Sequence, residues 1–132
     1  MNQVVARFLD GRILKGLTND FLPPKDHFHL TPAGSPPDTE PLVVHIPDLK
    51  ALFFVKDLKG KPQHRKLNEF DPLRKLPGRK IQVIFKDGEV LKGTTQGYQP
   101  GRQGFFVVPV DPLSNNERCY VVSAAAKTVA FV

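Results

Sequence analysis

The chain matches itself when it is slid by 77 residues, and it does so without a gap. Val4-Val5-Ala6-Arg7-Phe8-Leu9-Asp10-Gly11 lies over Ile81-Gln82-Val83-Ile84-Phe85-Lys86-Asp87-Gly88, and Leu14-Lys15-Gly16 lies over Leu91-Lys92-Gly93. The same offset still holds at the far end, where Lys50, Phe54 and Val55 meet Lys127, Phe131 and Val132. An internal repeat of this kind decides the architecture before any local motif does. Copy one spans residues 1–55, a linker spans 56–77, and copy two spans 78–132. A unit this short buries little surface alone. The copies are therefore expected to pack against each other or against the linker.

Each copy reads as strands. Val4, Ala6 and Phe8 alternate with their neighbours, as do Ile81, Val83 and Phe85, which is the period-2 pattern of a strand with one face inward. Asp-Gly follows in both copies and predicts a hairpin with a type I′ turn. Gly16 and Gly93 inside the returning strands predict a bend or bulge. A third strand is expected around Phe28–Leu30 and Phe105–Val108, and a fourth at Leu42–Ile46 and Cys119–Ser123. A short helical turn at Pro47–Lys50 and a last strand at Leu52–Val55 or Val129–Val132 complete the unit. The thirteen prolines and ten glycines suit many turns and few long helices. The expected fold is all-β, with two tandem five-stranded SH3-like or Sm-like barrels packed together.

The run apolar-x-apolar-x-Phe-x-Asp-Gly-x-x-Leu-Lys-Gly resembles the opening of Sm-like barrels, and Val43 to Leu52 is similar to the closing strands of SH3-like barrels. That resemblance implies fold only. The Asn and the Arg-Gly with which RNA-binding Sm proteins hold a base are replaced here. Copy one has Asp20-Phe21-Leu22-Pro23 and Ile46-Pro47, and copy two has Gly97-Tyr98-Gln99-Pro100 and Ser123-Ala124. The whole chain more closely resembles a group of small bacterial proteins, some of them PilZ-like, a class that binds cyclic dinucleotides. Arg74-Lys75-Leu76-Pro77-Gly78-Arg79 spaces its arginines one residue too far for the PilZ arginine pair. The PilZ Asp/Asn-x-Ser-x-x-Gly strand is missing as well.

The net charge of +6 favours anionic partners. Residues 56–80 carry nine Lys and Arg against three Asp and Glu, a balance equal to that of the whole chain. Lys61, Arg65, Lys66, Arg74, Lys75, Arg79 and Lys80, with Arg102 in the glycine-rich stretch Gly97–Gly104, are the candidate ligand-binding residues. The competing reading is a solvated connector. Leu67, Phe70, Leu73 and Leu76 recur at helical spacing and would dock part of the linker. Phe21, Tyr98 and Phe106 are candidate stacking rings for nucleic acid.

His27, His29 and His45 could share one strand face, but copy two has Gly104, Phe106 and Val122 there, and no metal site is expected. Cys119, the single cysteine, pairs with Leu42 in the repeat and reads as a buried apolar position. Asp10 and Asp87 serve turns, and no phosphate loop, nucleophile elbow or paired carboxylate is present. The expected function is therefore that of a non-catalytic binding or adaptor protein with no cofactor, engaging a protein partner. The alternatives are nucleic-acid binding by the linker and loops, or a degenerate cyclic-dinucleotide receptor. No apolar run reaches the roughly 18 residues of a membrane span, and no leader is legible, so a cytoplasmic location is expected.

Overall fold

The computed structural model describes residues 1–60, 69–70, 77–111 and 114–132. Copy one supplies β1 (Asn2–Phe8), β2 (Ile13–Thr18), β3 (His27–Pro32), β4 (Leu42–His45), a 3₁₀ turn (Ile46–Asp48) and β5 (Leu49–Val55). Copy two supplies β6 (Arg79–Phe85), β7 (Val90–Thr95), β8 (Gly104–Pro109), β9 (Asn116–Val122), a 3₁₀ turn (Ser123–Ala125) and β10 (Ala126–Phe131). The fold is all-β, and the element order repeats as the offset requires.

The ten strands form one open antiparallel sheet in the order β10-β6-β7-β8-β9-β5-β1-β2-β3-β4. Each copy contributes the same string, with its fifth strand beside its first and its fourth at the other end. A closed five-stranded barrel would pair the fourth and fifth strands of one copy. That pairing is not found. Instead β5 pairs with β9, placing Ala51 opposite Val121, Leu52 opposite Tyr120 and Phe53 opposite Cys119. The fifth strand of copy one thus closes on copy two.

The hairpins differ in one detail from the expected type I′ turn. Within the two turns only Gly11 and Gly88 have positive φ, both at 94°, and among the described residues no residue other than glycine does. The Gly11 amide donates to the Phe8 carbonyl at 3.1 Å, and the Phe8 amide donates to the Arg12 carbonyl at 2.9 Å. The loop therefore holds three residues with glycine last, a geometry that a bulged hairpin prefers. Asp10 Oδ1 accepts the Arg12 amide at 3.0 Å, and Asp87 Oδ1 accepts the Glu89 amide at 2.9 Å. The aspartates are thus chosen by backbone hydrogen bonding, in either copy.

Two hydrophobic cores lie on the sheet. One gathers Val4, Ala6, Phe28, Leu30 and Leu49 of copy one together with Tyr120 and Val122 of β9. The other gathers Ile81, Val83, Phe85, Phe105 and Val107 of copy two together with Ala51, Phe53 and Val55 of β5. Along β5, successive side chains alternate between the two cores. This explains why all of its residues are buried, as in strands covered on both faces. Each copy completes the other's core, which answers the marginal size of one unit.

Candidate functional site

Between the copies lies a cleft of about 450 Å³. Val5 and Phe53 from copy one and Phe85 and Leu91 from copy two give it an apolar lining. Its rim carries repeat-related pairs. Ile13 and Val90 occupy one repeat position on β2 and β7, and Lys15 and Lys92 occupy another. The returning strands therefore present the same apolar and cationic groups from both sides.

The charged groups around the cleft are held lightly. Lys15 Nζ donates to the Leu58 carbonyl at 3.1 Å, and Lys92 Nζ stands 3.9 Å from the Glu69 carboxylate. Arg7 lies 3.7 Å from the Glu89 carboxylate, with its guanidinium 5.5 Å from the centre of the Phe53 ring. Long cations paired with exposed carboxylates at such distances contribute little stability, and Lys15 holds only an exposed main-chain carbonyl, so these groups can turn to an anionic group on a ligand.

Beside the cleft, Lys50 ties the copies together. Its side chain is almost fully buried, and its ammonium reaches Asp87 at 2.7 Å and Glu89 at 2.5 Å. The same nitrogen lies 4.7 Å from the centre of the Phe85 ring. Burial presses the Lys50 pKa down, but the hydrogen bonds it donates to Asp87 and Glu89 outweigh it, and the net shift is upward. The Asp87 carboxyl is lowered, chiefly by the Lys50 ammonium and then by the Glu89 amide.

Lys50→Met keeps the buried stem and removes only the charge. The expected cost is about 1–2 kcal/mol, since the carboxylates remain half exposed and are resolvated. The pH dependence follows from the two directions. Asp87, lowered on folding, adds stability above the ordinary carboxylate range that is lost as pH falls through its folded pKa. Lys50, raised on folding, adds stability below the ordinary lysine value of about 10.4 that is lost as pH rises through its folded pKa. Urea midpoints for the wild type should stay level from about pH 5 to about pH 10. Lys50→Met should flatten the decline outside that window.

Of the predicted ligand-binding cations, Lys61, Arg65, Lys66, Arg74 and Lys75 lie outside the described residues. Arg79 and Lys80 are exposed at the start of β6, and Arg102 is exposed in the β7–β8 turn. Arg79 lies 3.7 Å from the centre of the Phe131 ring, and Tyr98 packs on the same ring at 5.8 Å. Lys80 lies 5.3 Å from the Phe70 ring centre. Of the proposed helical turn through Leu67, Phe70, Leu73 and Leu76, only Phe70 is described.

The three candidate stacking rings are engaged in packing. Phe21 meets Phe28, Phe54, Phe106 and Tyr120 edge-on. Tyr98 meets Phe105 at 4.7 Å. Cys119 is fully buried.

The histidines form a loose group across β3 and β4. His27 lies 6.1 Å from His29 and 6.2 Å from His45, measured between ring centres. His27 Nδ1 shares a hydrogen bond with Asp26 at 2.8 Å, and His29 Nδ1 shares one with Asp20 at 2.6 Å. Burial raises the Asp20 pKa, but the bonds from the His29 ring, the His29 amide and the Thr18 hydroxyl bring it below its ordinary value. Among the described residues no group of three ligands is arranged to hold a metal ion.

Sequence reasoning missed the cleft, because its two walls meet only once β5 has paired with β9. The repeat itself carried one usable signal, namely that Lys15 and Lys92 share a position on the returning strands.

Taken together, the fold and the cleft define an all-β tandem-repeat protein whose halves are joined through one continuous sheet. It belongs to DUF6982, a family of unknown function whose sequence profile matches residues 1–132. Neither a curated protein nor a solved structure matches the chain. Among the described residues no helix is long and apolar enough to cross a membrane.

Proposed function

We propose that the chain is a non-catalytic binding or adaptor protein, built from two small SH3-like units, that receives a segment of a protein partner in the cleft between its copies. The observation that carries this reading is the apolar cleft with Lys15 and Lys92 on its rim. Ligand sites are commonly concave and mostly apolar, with a few polar groups fixing orientation. A segment with an apolar side chain flanked by a carboxylate fits that arrangement. Selection from a displayed random-peptide library tests it. Peptides combining apolar and acidic residues should be enriched, and a Lys15→Glu, Lys92→Glu double variant should bind them at least about tenfold more weakly, a loss of roughly 1.4 kcal/mol. Failure to enrich any such peptide, or equal binding by the double variant, would remove the cleft as the site.

A second reading, nucleic-acid binding, is favoured by the net charge of +6 and by the exposure of Arg79, Lys80 and Arg102. It would need backbone contacts more than stacking, because Phe21, Tyr98 and Phe106 are already packed. Titration of labelled RNA and DNA at several salt concentrations separates the readings. Phosphate binding would weaken steeply with salt, whereas the cleft reading expects no binding at physiological salt.

A further inference from the structure

The junction between the copies joins unlike edges, the fifth strand of copy one to the fourth strand of copy two. Each copy therefore uses one of its two edges internally. The edges left over are β4, the fourth strand of copy one, and β10, the fifth strand of copy two, and they end the sheet on either side. We propose that β10 of one chain pairs with β4 of a second copy, so that the protein assembles head to tail through the geometry that already joins its own halves.

The side chains at the two ends support this. Leu42 and Val43 on β4 are 47% and 52% exposed, while Cys119 and Tyr120, at the same repeat positions, are 0% and 2% exposed in the junction. Phe131 and Val132 are 40% and 63% exposed, while their equivalents Phe54 and Val55 are 4% and 7% exposed. The outer edges thus keep apolar residues where the junction buries them. An open edge with unpaired backbone groups and apolar side chains is a template for another strand.

The offset also supplies the register. Ala51 opposite Val121, Leu52 opposite Tyr120 and Phe53 opposite Cys119 become Thr128 opposite Val44, Val129 opposite Val43 and Ala130 opposite Leu42 of the second copy. Pro41 stands at the place of Arg118 and has no amide to donate, so the ladder ends at Leu42.

The backbone register carries the pairing, and the polar contacts of the junction do not all recur. The Lys50–Asp87 bridge has no full counterpart there, because Lys127 would face Asp10, which Arg12, at the place of Glu89, already pairs at 2.7 Å. Gln103 Nε2 donates to the Lys25 main-chain carbonyl at 3.0 Å across the junction, whereas Asp26, at the repeat position of Gln103, has no donor, so this bond does not recur between copies. A head-to-tail contact of unlike edges can continue until it closes on itself.

Sedimentation velocity over a wide concentration series tests the proposal with three proteins. The wild type should form species larger than a dimer. Val43→Lys, which blocks β4, and Ala130→Lys, which blocks β10, should each self-associate at least tenfold more weakly and sediment as monomers. Their exposed sites should leave the circular dichroism unchanged and the melting curve equal to that of wild type diluted below its assembly range. An equimolar mixture of the two variants should form a heterodimer and nothing larger, because each supplies the edge that the other lacks. A wild type that stays monomeric throughout, a blocked variant that still dimerises alone, or a mixture that forms no heterodimer would overturn the proposal. A variant that loses its melting transition is replaced by Leu42→Lys on β4 or Thr128→Lys on β10, both exposed positions, which should weaken assembly to the same extent. Unchanged assembly by these replacement variants would equally overturn it.

Discussion

Replacing Phe54 by alanine is expected to lower the unfolding free energy by about 3–5 kcal/mol, the range for large aromatic truncations in a closed core. The ring is buried where the two copies meet. It packs against Phe21 at 5.6 Å and Phe106 at 6.0 Å, and the Arg118 guanidinium lies 4.3 Å from its centre. One of these partners belongs to copy one and two to copy two, so the truncation loosens both halves together. The matched control is Phe131→Ala, which alters the same repeat position at the outer edge. Its ring is partly solvated, and the expected loss is about 1 kcal/mol. Guanidinium unfolding at low protein concentration compares the two. Equal losses would mean that β5 is no more buried in solution than β10.

Gly16→Ala and Gly93→Ala are each expected to cost about 3 kcal/mol, at the upper end of overpacking effects. A Cβ at Gly16 would collide with the Thr31 carbonyl oxygen, and one at Gly93 would collide with the Val108 carbonyl oxygen. Neither glycine has positive φ, so backbone freedom is not the reason for them. The third strand of each copy simply passes too close to admit a side chain. Gly11 presents the opposite case, with φ of 94° and open space around it. Gly11→Ala should therefore cost only about 1–2 kcal/mol, the penalty of left-handed backbone for an L-residue. Urea unfolding of the three variants should rank the collisions above the strained turn.

Much of the strand framework was legible in the sequence. The ungapped repeat located both copies, and the alternation of Val4, Ala6 and Phe8 with their neighbours located the inward faces. Gly16 and Gly93 signalled a special backbone site, although close approach rather than a bulge accounts for them. The type I′ expectation failed because Asp-Gly also serves a three-residue loop, in which only the glycine turns left-handed.

Strand partnership was the illegible part. The fourth and fifth strands look alike in both copies, and nothing local says whether a fifth strand returns to its own fourth strand or crosses to the other copy's. One clue was available. Leu49-Lys50-Ala51-Leu52-Phe53-Phe54-Val55 is apolar on both faces, whereas Ala126-Lys127-Thr128-Val129-Ala130-Phe131 is less so, and a strand apolar on both faces is one covered on both. The cleft was illegible for the same reason. The bond from Lys50 to Asp87 spans 37 positions and depends on that crossing. The linker cations stood out as charge, but charge density alone carries no geometry.

Native-state hydrogen exchange read by NMR most directly addresses the claim that the halves are one cooperative sheet. The amides of Ala51 to Phe54 and Arg118 to Val121 should exchange as slowly as those of β1 and β6, with an opening free energy equal to that of global unfolding. If the junction amides opened well below that value while the rest of each half stayed protected, the two copies would be separate units merely in contact, and the account would be wrong.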